Sequence, residues 1–305
     1  MSEEKVPTTI VSSKSHRVRI APNRKTVVIG ERCNTLGSRL IRNAVAKGQW
    51  QVVVDRAVDQ FEAGAGVIDV NMMGIEAIPE KVLLPLAVTA IRSKIDCPLC
   101  LEFGDPEALD LALGKAEGRC LINSISGEKE KLEQVLPIAR KHGAAMIAMT
   151  ADDDGIPYTP EGRLKCAFKI LKAGEAFGFT IDDFVFDCIA IGLATDVGAG
   201  RCTMDTIRLV RRELNANITL GASNVSFGMP KRKVIDANYL AVAITCGMNA
   251  PITDITHDGL RWSILTADVI NGTDRLGMKF LKEARREKRE MQEAGSVAGG
   301  GVVEG

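Results

Sequence analysis

Polar side chains follow most of the short apolar runs in this 305-residue sequence. Most are carboxylates and amides: Glu31, Arg32, Asn34, Asp69, Asn71, Glu102, Asn123, Ser124, Thr150, Asp152, Asp187, Ser223, Asn224, Asp254 and His257. A carboxylate accepts hydrogen bonds from a ring N–H and an exocyclic amine together, and an amide both donates and accepts. The set therefore suits a neutral heterocycle with an amidine-like edge, such as a pterin or a purine. Any single member is equally suited to capping a helix or fixing a loop.

The sequence lacks the residues that several other kinds of active site require. The chain has three histidines, and only His257 follows a predicted strand, so we predict no metal site. No predicted strand ends in a lysine suited to a Schiff base, and H-E-x-x-H, G-x-S-x-G and P-loop motifs are absent. Cys97 and Cys100 form the only C-x-x-C pair, without a second pair at zinc-ribbon spacing. We interpret them as core thiols of a reducing cytosol.

The segment ITLGASNVSFGMPKRK, residues 218–233, ends a short apolar run in the amide of Asn224. A turn-like Gly228-Met229-Pro230 and three consecutive cations follow. The amide either caps the next turn or contacts a ligand, and both interpretations are compatible with the sequence.

Short β-branched runs alternate along the chain with longer helical patterns. The runs predict strands at 26–32, 67–73, 98–104, 120–126, 144–150, 184–191, 218–223 and 251–256. Trp50, Val54, Ala57 and Phe61 recur at helical spacing after the first run. Asp105 and Pro106 are a typical helix start, and Gly143 is a typical helix stop.

Eight strand–helix units in about 245 residues predict an α/β protein with a (β/α)8 TIM barrel over residues 25–276. The carboxyl ends of its strands would bring the polar groups to one mouth. A doubly wound fold is the main alternative, but IGERCNTLG after the first strand lacks the G-x-G-x-x-G fingerprint. Residues 1–24 are predicted to be a polar N-terminal extension, and residues 277–305 a charged helix followed by a disordered glycine-rich tail.

Charge and hydropathy limit the environment. The chain has 39 Lys and Arg against 39 Asp and Glu, which argues against general affinity for nucleic acid or membranes. No segment approaches the roughly 20 apolar residues of a membrane span, and the N-terminus has no apolar signal region. We therefore expect a cytoplasmic protein.

The strand ends together resemble a known family. VIGERCN (28–34), IDVNMMG (68–74), LCLEFGD (99–105), INS (122–124), FD (186–187) and GASNVSFG (221–228) occur in barrel order. This pattern resembles the pterin-binding methyltransferases, which include methyltetrahydrofolate:corrinoid protein methyltransferases and components of corrinoid-dependent demethylase systems. The resemblance covers about residues 26–272 and implies a barrel like that of dihydropteroate synthase.

The resemblance implies a role for individual residues. Asn123 and Asp187 match positions that bind the pyrimidine edge of the pterin, and Asn224 matches the asparagine that hydrogen-bonds N5. Asp69 and Glu102 would also face the pterin, while Gly221 and Ser223 would let the ring approach the backbone. One departure stands out: the family usually has aspartate at the position of Glu102, whose extra methylene moves the carboxylate outward by about 1.5 Å.

The implied reaction moves a methyl group between N5 of tetrahydrofolate and the cobalt of a corrinoid carried by a partner protein. Either tetrahydrofolate or 5-methyltetrahydrofolate would bind, Asn224 would be the catalytic residue, and a homodimer is expected. Lys231, Arg232 and Lys233 would touch the glutamate tail of the folate or an acidic partner, or form a solvated turn. Two alternatives stay open. One is a dihydropteroate synthase-type enzyme, which would need a histidine and an arginine in a phosphate site just after the last strand; His257 is present, but Arg261 is a helix turn away. The other is a non-catalytic pterin-binding subunit.

Overall fold

Eight parallel strands form a barrel in the computed structural model, which describes residues 6–299. A two-stranded hairpin precedes it, formed by β1 (Thr9–Ser12) and β2 (Arg17–Ile20). The barrel strands are β3 (Ile29–Asn34), β4 (Val67–Asn71), β5 (Leu99–Glu102), β6 (Leu121–Ser126), β7 (Ala145–Met149), β8 (Phe184–Asp187), β9 (Asn217–Thr219) and β10 (Ile252–Thr253).

Ten α-helices accompany these strands within the described residues. They are α1 (Arg39–Ala46), α2 (Gln51–Glu62), α3 (Glu80–Arg92), α4 (Pro106–Leu113), α5 (Lys129–His142), α6 (Pro160–Ala176), α7 (Ala199–Leu214), α8 (Arg232–Cys246), α9 (Asp258–Ile270) and α10 (Met278–Gly299). Short 3₁₀ turns occur at Ile181–Asp183, Ala222–Ser226 and Arg275–Gly277.

The sheet closes on itself. Strands β3 to β9 pair in sequence order and β10 pairs with β3. A parallel bridge between Gly221 and Ile252 joins the last two strands, and the N–H of Ile252 donates to the carbonyl of Leu220 at 2.9 Å. The predicted (β/α)8 barrel is therefore confirmed.

The apolar core has two layers. The larger lies between the strands and the surrounding helices, and the smaller fills the inside of the barrel. The inner layer consists of Ile29, Val67, Cys100, Leu121, Ala145, Ile147, Val185, Ala250 and Ile252, together with Val11 and Ile20 of the hairpin. Both faces of the strands are thus covered, which explains their continuous apolar runs.

The hairpin covers the amino-terminal end of the barrel. Residues 1–24 are predicted to be only a polar extension, but in the described part of this segment burial alternates along β1, polar and apolar side chains alternate along β2, and Val11 and Ile20 are fully buried. The side-chain amide of Asn217 on β9 donates to the Thr9 hydroxyl at 3.0 Å and to the Ile20 carbonyl at 2.9 Å. Its oxygen accepts from the amide of Asn249 at 2.8 Å. These contacts fix the hairpin to the barrel.

Several predicted element ends agree with the structure. The Asp105 carboxylate caps α4 by accepting from the N–H of Glu107 at 2.9 Å, and Gly143 ends α5 with a φ of +63°. The strands themselves are shorter than predicted. Strand β3 begins and ends later than predicted, whereas β8, β9 and β10 end earlier because the chain leaves the sheet at the mouth. Thus β9 ends at Thr219, and Ser223 and Asn224 lie in the following 3₁₀ turn.

The C-terminal segment packs on the barrel through α9. Trp262 and Phe280 meet edge to face at 5.1 Å between ring centroids, and Arg261 pairs with Glu283 at 2.8 Å. Helix α10 extends into the glycine-rich segment, and residues 300–305 of the predicted disordered tail lie outside the described residues. Within residues 6–299, no helix combines the length and the apolar character needed to cross a membrane.

Replacing Asn217 tests the hairpin closure. Asn217→Ala should lower the free energy of unfolding by about 3 kcal/mol, because buried groups of the hairpin and of Asn249 lose their partners. Urea denaturation measures this loss. Asn238→Ala removes an exposed helix amide bonded only to the Val234 carbonyl and should change stability by less than about 0.5 kcal/mol. Equal stability of the two variants would contradict this assignment.

Candidate active site

A cavity of about 530 Å³ opens at the carboxyl ends of the strands. All seven site residues predicted from the sequence line it: Asp69, Glu102, Asn123, Asp187, Gly221, Ser223 and Asn224. Residues to which the sequence assigned no individual role also line it: Glu31, Arg32, Asn34, Gly37, Ser38, Ser124, Met149, Phe227, Asp236 and Ile252. The fold thus brings the predicted residues together and adds a fourth carboxyl-bearing strand end, at Glu31, to those of Asp69, Glu102 and Asp187.

Two strand irregularities supply pairs of neighbouring side chains to this cavity. The β3–β4 register shifts between Gly30 and Cys33, and the β6–β7 register shifts between Ile122 and Ile125. In a regular strand, adjacent side chains point to opposite faces. Here Glu31 and Arg32 both line the cavity, as do Asn123 and Ser124. Such bulges redirect side chains at the rim of a barrel.

Gln60 on α2 supports the first irregularity. Its buried side-chain oxygen accepts from the N–H of Arg32 at 2.8 Å, while its nitrogen donates to the Arg56 carbonyl at 2.9 Å. Gly30 leaves room for this contact, because a Cβ there would come within 2.6 Å of the Gln60 oxygen. Gly30, in the stretch VIGERCN (28–34), is therefore needed for close approach of this side chain.

Asp69, Asn123 and Glu102 form one side of the cavity. The amide nitrogen of Asn123 donates to Asp69 Oδ1 at 3.1 Å. Burial, and then repulsion from Glu102, raise the pKa of Asp69, and burial also raises the pKa of Glu102. Two carboxyl groups in this arrangement bind a proton between them more readily than either would in water. The pair can therefore donate as well as accept hydrogen bonds near neutral pH.

Asp187 has a different environment. Its Oδ1 accepts from the backbone N–H of Ile189 at 2.7 Å. Burial raises its pKa to about 6, and the bond from Ile189 opposes that rise. Asp187 is therefore mostly ionised at neutral pH and accepts hydrogen bonds only.

Asn224 presents an amide without a protein partner. Its backbone N–H donates to the Gly221 carbonyl at 3.1 Å, but its exposed side chain makes no hydrogen bond within residues 6–299. Among the described contacts, this amide caps no turn. Gly221 makes room for it, since a Cβ at that position would lie 2.8 Å from Asn224 Nδ2.

Glu31 lies beside this turn. The Ser223 hydroxyl donates to Glu31 Oε2 at 2.9 Å. Burial raises the pKa of Glu31 from 4.5 to about 7, and the bond from Ser223 opposes the rise. A carboxyl group with a pKa near 7 exchanges protons readily at neutral pH. The sequence placed Glu31 at a strand end, but only the fold shows that it contacts Ser223.

The cations after the turn form part of the rim. Arg232 donates to the Ser223 carbonyl at 3.0 Å and lies over the Phe227 ring at 4.4 Å. Lys233 lies 4.0 Å from the Asp254 carboxylate. Both line the cavity, whereas Lys231 does not.

The groups required by the dihydropteroate synthase alternative are not in this cavity. His257 and Arg261 are both absent from its lining. Arg261 is instead held by Asp258 at 2.6 Å and Glu283 at 2.8 Å. The arginine considered for a phosphate cluster is thus committed to salt bridges with α9 and α10.

Comparison of the sequence with protein families gives a match to pterin binding enzymes over residues 30–254. Among characterised proteins, the methylcorrinoid:tetrahydrofolate methyltransferase of Eubacterium limosum is 28% identical over 267 residues, covering 86% of this chain and 97% of that protein. The methionine synthase of Mycobacterium leprae is 28% identical over 257 residues, which is 79% of this chain but 21% of the larger protein.

Solved structures with a similar fold include two dihydropteroate synthases. The enzyme from Yersinia pestis has a TM-score of 0.65 at 12% identity and covers 87% of this chain and 99% of its own. The enzyme from Vibrio fischeri ES114 also has a TM-score of 0.65 at 12% identity and covers 86% and 98%. At this identity the likeness concerns the barrel fold alone.

The raised pKa of Glu31 predicts a pH dependence of stability. The folded protein holds this proton more tightly than the unfolded chain, so the stabilisation is complete below about pH 4 and is lost as pH rises toward 7. Glu31→Gln removes this titration. As pH rises from 5 to 8, the free energy of unfolding of the variant should therefore increase relative to that of the wild type by about 1–2 kcal/mol.

Urea denaturation at several pH values measures this difference. Glu62→Gln, an exposed carboxyl group at the end of α2, should leave the pH dependence unchanged. If the Glu31→Gln and wild-type curves are parallel from pH 5 to 8, Glu31 does not titrate as described.

Proposed function

Since the chain belongs to the pterin binding enzyme family, we propose that it is a methyltransferase that uses tetrahydrofolate and a corrinoid. It moves a methyl group between N5 of tetrahydrofolate and the cobalt of a corrinoid carried by a partner protein. The similarity to the methylcorrinoid:tetrahydrofolate methyltransferase supports this reaction, because it extends over almost the whole of that protein.

The observation that carries the proposal is the single cavity lined by Asn123, Asp187 and Asn224. These residues come from β6, from β8 and from the turn after β9, so only the closed barrel brings them together. Asp187, ionised at neutral pH, accepts from the N–H and amino groups of the pyrimidine edge. Asn123 adds a donor and an acceptor, and Asn224 offers an unpaired amide to N5.

Toward tetrahydrofolate, the reaction is a displacement at the methyl carbon. The N5 lone pair forms the new N–C bond, the electron pair of the cobalt–carbon bond stays on cobalt, and cobalt(III) becomes cobalt(I). The proton on N5 must then leave. Asn224 can accept a hydrogen bond from that N–H but cannot take the proton.

Glu31 is our candidate for the proton acceptor. It is bonded to Ser223, the residue adjacent to Asn224, and its pKa of about 7 suits a group that gains and loses a proton at neutral pH. In the opposite direction, from 5-methyltetrahydrofolate to cobalt(I), the same group in its protonated form would supply the proton to N5.

The remaining expectations stay predictions. The open barrel mouth would admit a corrinoid protein as partner, and a cytoplasmic location and a homodimer are expected from the sequence. A dihydropteroate synthase activity is disfavoured because Arg261 is engaged by Asp258 and Glu283 away from the cavity. A non-catalytic pterin-binding subunit would bind tetrahydrofolate without turnover.

A spectroscopic assay tests the function. Protein, tetrahydrofolate and a methylated corrinoid protein are mixed without oxygen, and the absorbance of cobalt(I) is followed. The wild type should form cobalt(I), and Asn224→Ala should lower kcat about 10- to 100-fold, equivalent to about 1–3 kcal/mol of transition-state stabilisation. Asn238→Ala, on the exposed side of α8, serves as control. Tetrahydrofolate binding without cobalt(I) formation would indicate the non-catalytic subunit.

The pH profile tests the proton acceptor. In the direction of tetrahydrofolate methylation, kcat of the wild type should rise with pH through about 7 as Glu31 ionises and then level off. Glu31→Gln should lower kcat about 10²-fold and remove this inflection. Stopped-flow absorbance between pH 5.5 and 8.5 gives both quantities. A variant with a wild-type inflection would show that another group takes the proton.

A further inference from the structure

Arg163 is the largest side chain that the described part of the protein buries fully. It projects from α6 and is 1% exposed. Its guanidinium donates to three backbone carbonyls: to Pro157 at 3.0 Å, to Cys188 at 2.8 Å and to Ile189 at 3.1 Å. None of these partners carries a charge. Burying a cation without a directly bonded carboxylate is costly, so its position requires a reason beyond packing.

The reason lies across one peptide unit. The carbonyl of Cys188 and the N–H of Ile189 belong to the same peptide group. The carbonyl accepts from Arg163 Nη1, and the N–H donates to Asp187 Oδ1 at 2.7 Å. A cation therefore lies at the negative end of this peptide dipole and a carboxylate at its positive end. Each hydrogen bond polarises the peptide group in the sense that strengthens the other.

The local backbone is held in an unusual conformation. Ile189 has a φ of +57°, a region that β-branched residues rarely adopt. Its carbonyl accepts from Arg163 and also from the Thr203 hydroxyl on α7 at 2.9 Å. These contacts from α6 and α7 keep the Ile189 N–H directed at Asp187. Without them, the chain after β8 could return to an ordinary conformation, and the carboxylate would lose this bond.

We propose that Arg163 is a positioning residue that acts through the Cys188–Ile189 peptide unit to hold the Asp187 carboxylate oriented and ionised for tetrahydrofolate. The inference rests on the proposed function, because Asp187 is the group that would accept from the pterin. Arg163 lies outside the lining of the cavity, so we expect it to contact neither substrate. Its effect on binding is exerted on Asp187 alone.

The electrostatics of the region agree with this geometry. The positive charge of Arg163 lowers the pKa of Asp187 against the larger opposite effect of burial. The other titratable groups nearby stay in one state around neutral pH. Burial raises the pKa of Cys188 well above its ordinary value and that of Tyr239 to about 12, while burial lowers the pKa of Arg211 to about 10.

The test measures the dissociation constant of tetrahydrofolate between pH 5 and 8 by anaerobic calorimetry. Arg163→Met keeps an unbranched side chain that extends as far as the position of Nε, and it removes the charge and the guanidinium donors. It should increase the dissociation constant at pH 7.5 by about tenfold or more. The pH midpoint below which binding is lost should rise by about one pH unit. In an Asp187→Asn background, the same substitution should change the dissociation constant less than about twofold.

Controls separate this role from a structural one. Arg211→Met removes another largely buried arginine, one that contacts the Gly247 carbonyl, and should leave the pH midpoint of binding in place. Arg163→Lys retains the charge but loses the planar guanidinium that bonds the Cys188 and Ile189 carbonyls. Binding should therefore weaken, with a shift in the pH midpoint smaller than that of Arg163→Met. Arg163→Lys also carries the test should Arg163→Met not fold, which a thermal melt determines.

Two results would overturn the inference. Equal affinity losses for Arg163→Met in the wild-type and Asp187→Asn backgrounds would mean that the arginine acts on stability and not through Asp187. An unchanged pH midpoint of binding in both Arg163 variants would likewise mean that the arginine does not act through Asp187. If the wild-type protein itself does not bind tetrahydrofolate, the proposed function fails first and this inference with it.

Discussion

Removal of carboxyl groups from water at the open end of the barrel is the constraint on which the site depends. Asp69, Glu102, Asp187 and Glu31 all have raised pKa values, and burial is the largest cause for each. In a solvated loop the same side chains would be simple anions. Burial in the barrel wall instead gives them different pKa values. Asp187 therefore accepts hydrogen bonds, while the Asp69–Glu102 pair can also donate them.

One end of the barrel is closed by apolar packing, and the other is open and polar. Apolar side chains fill the barrel interior from the amino-terminal end, where the hairpin contributes Val11 and Ile20 and Asn217 hydrogen-bonds to Thr9 and Ile20. With the core complete at that end, the carboxyl ends of the strands are free to carry polar groups. The site residues therefore rest on a packed scaffold and not on mobile loops, as binding of a rigid heterocycle requires.

Much of this could be predicted from the sequence, and the failures have identifiable causes. The eight strand–helix units, the helix start at Asp105 and the helix stop at Gly143 depend on local patterns and agree with the structure. The hairpin was missed because four-residue strands in a polar segment give a weak periodic signal. The strand ends at β9 and β10 were placed too late, because apolar residues such as Ala222 continue into the turn that the barrel mouth buries.

The sequence by itself determined which chemical groups stand at the ends of the strands and in which order. Side-chain type and chain order are covalent properties, and a parallel barrel necessarily gathers its carboxyl ends. Only the tertiary structure decided what those groups contact: the bond between Ser223 and Glu31, the proton-sharing pair of Asp69 and Glu102, and the peptide unit between Arg163 and Asp187. These contacts join residues far apart in the chain or depend on a single backbone dihedral angle. Their energies depend on burial, which no local sequence pattern specifies.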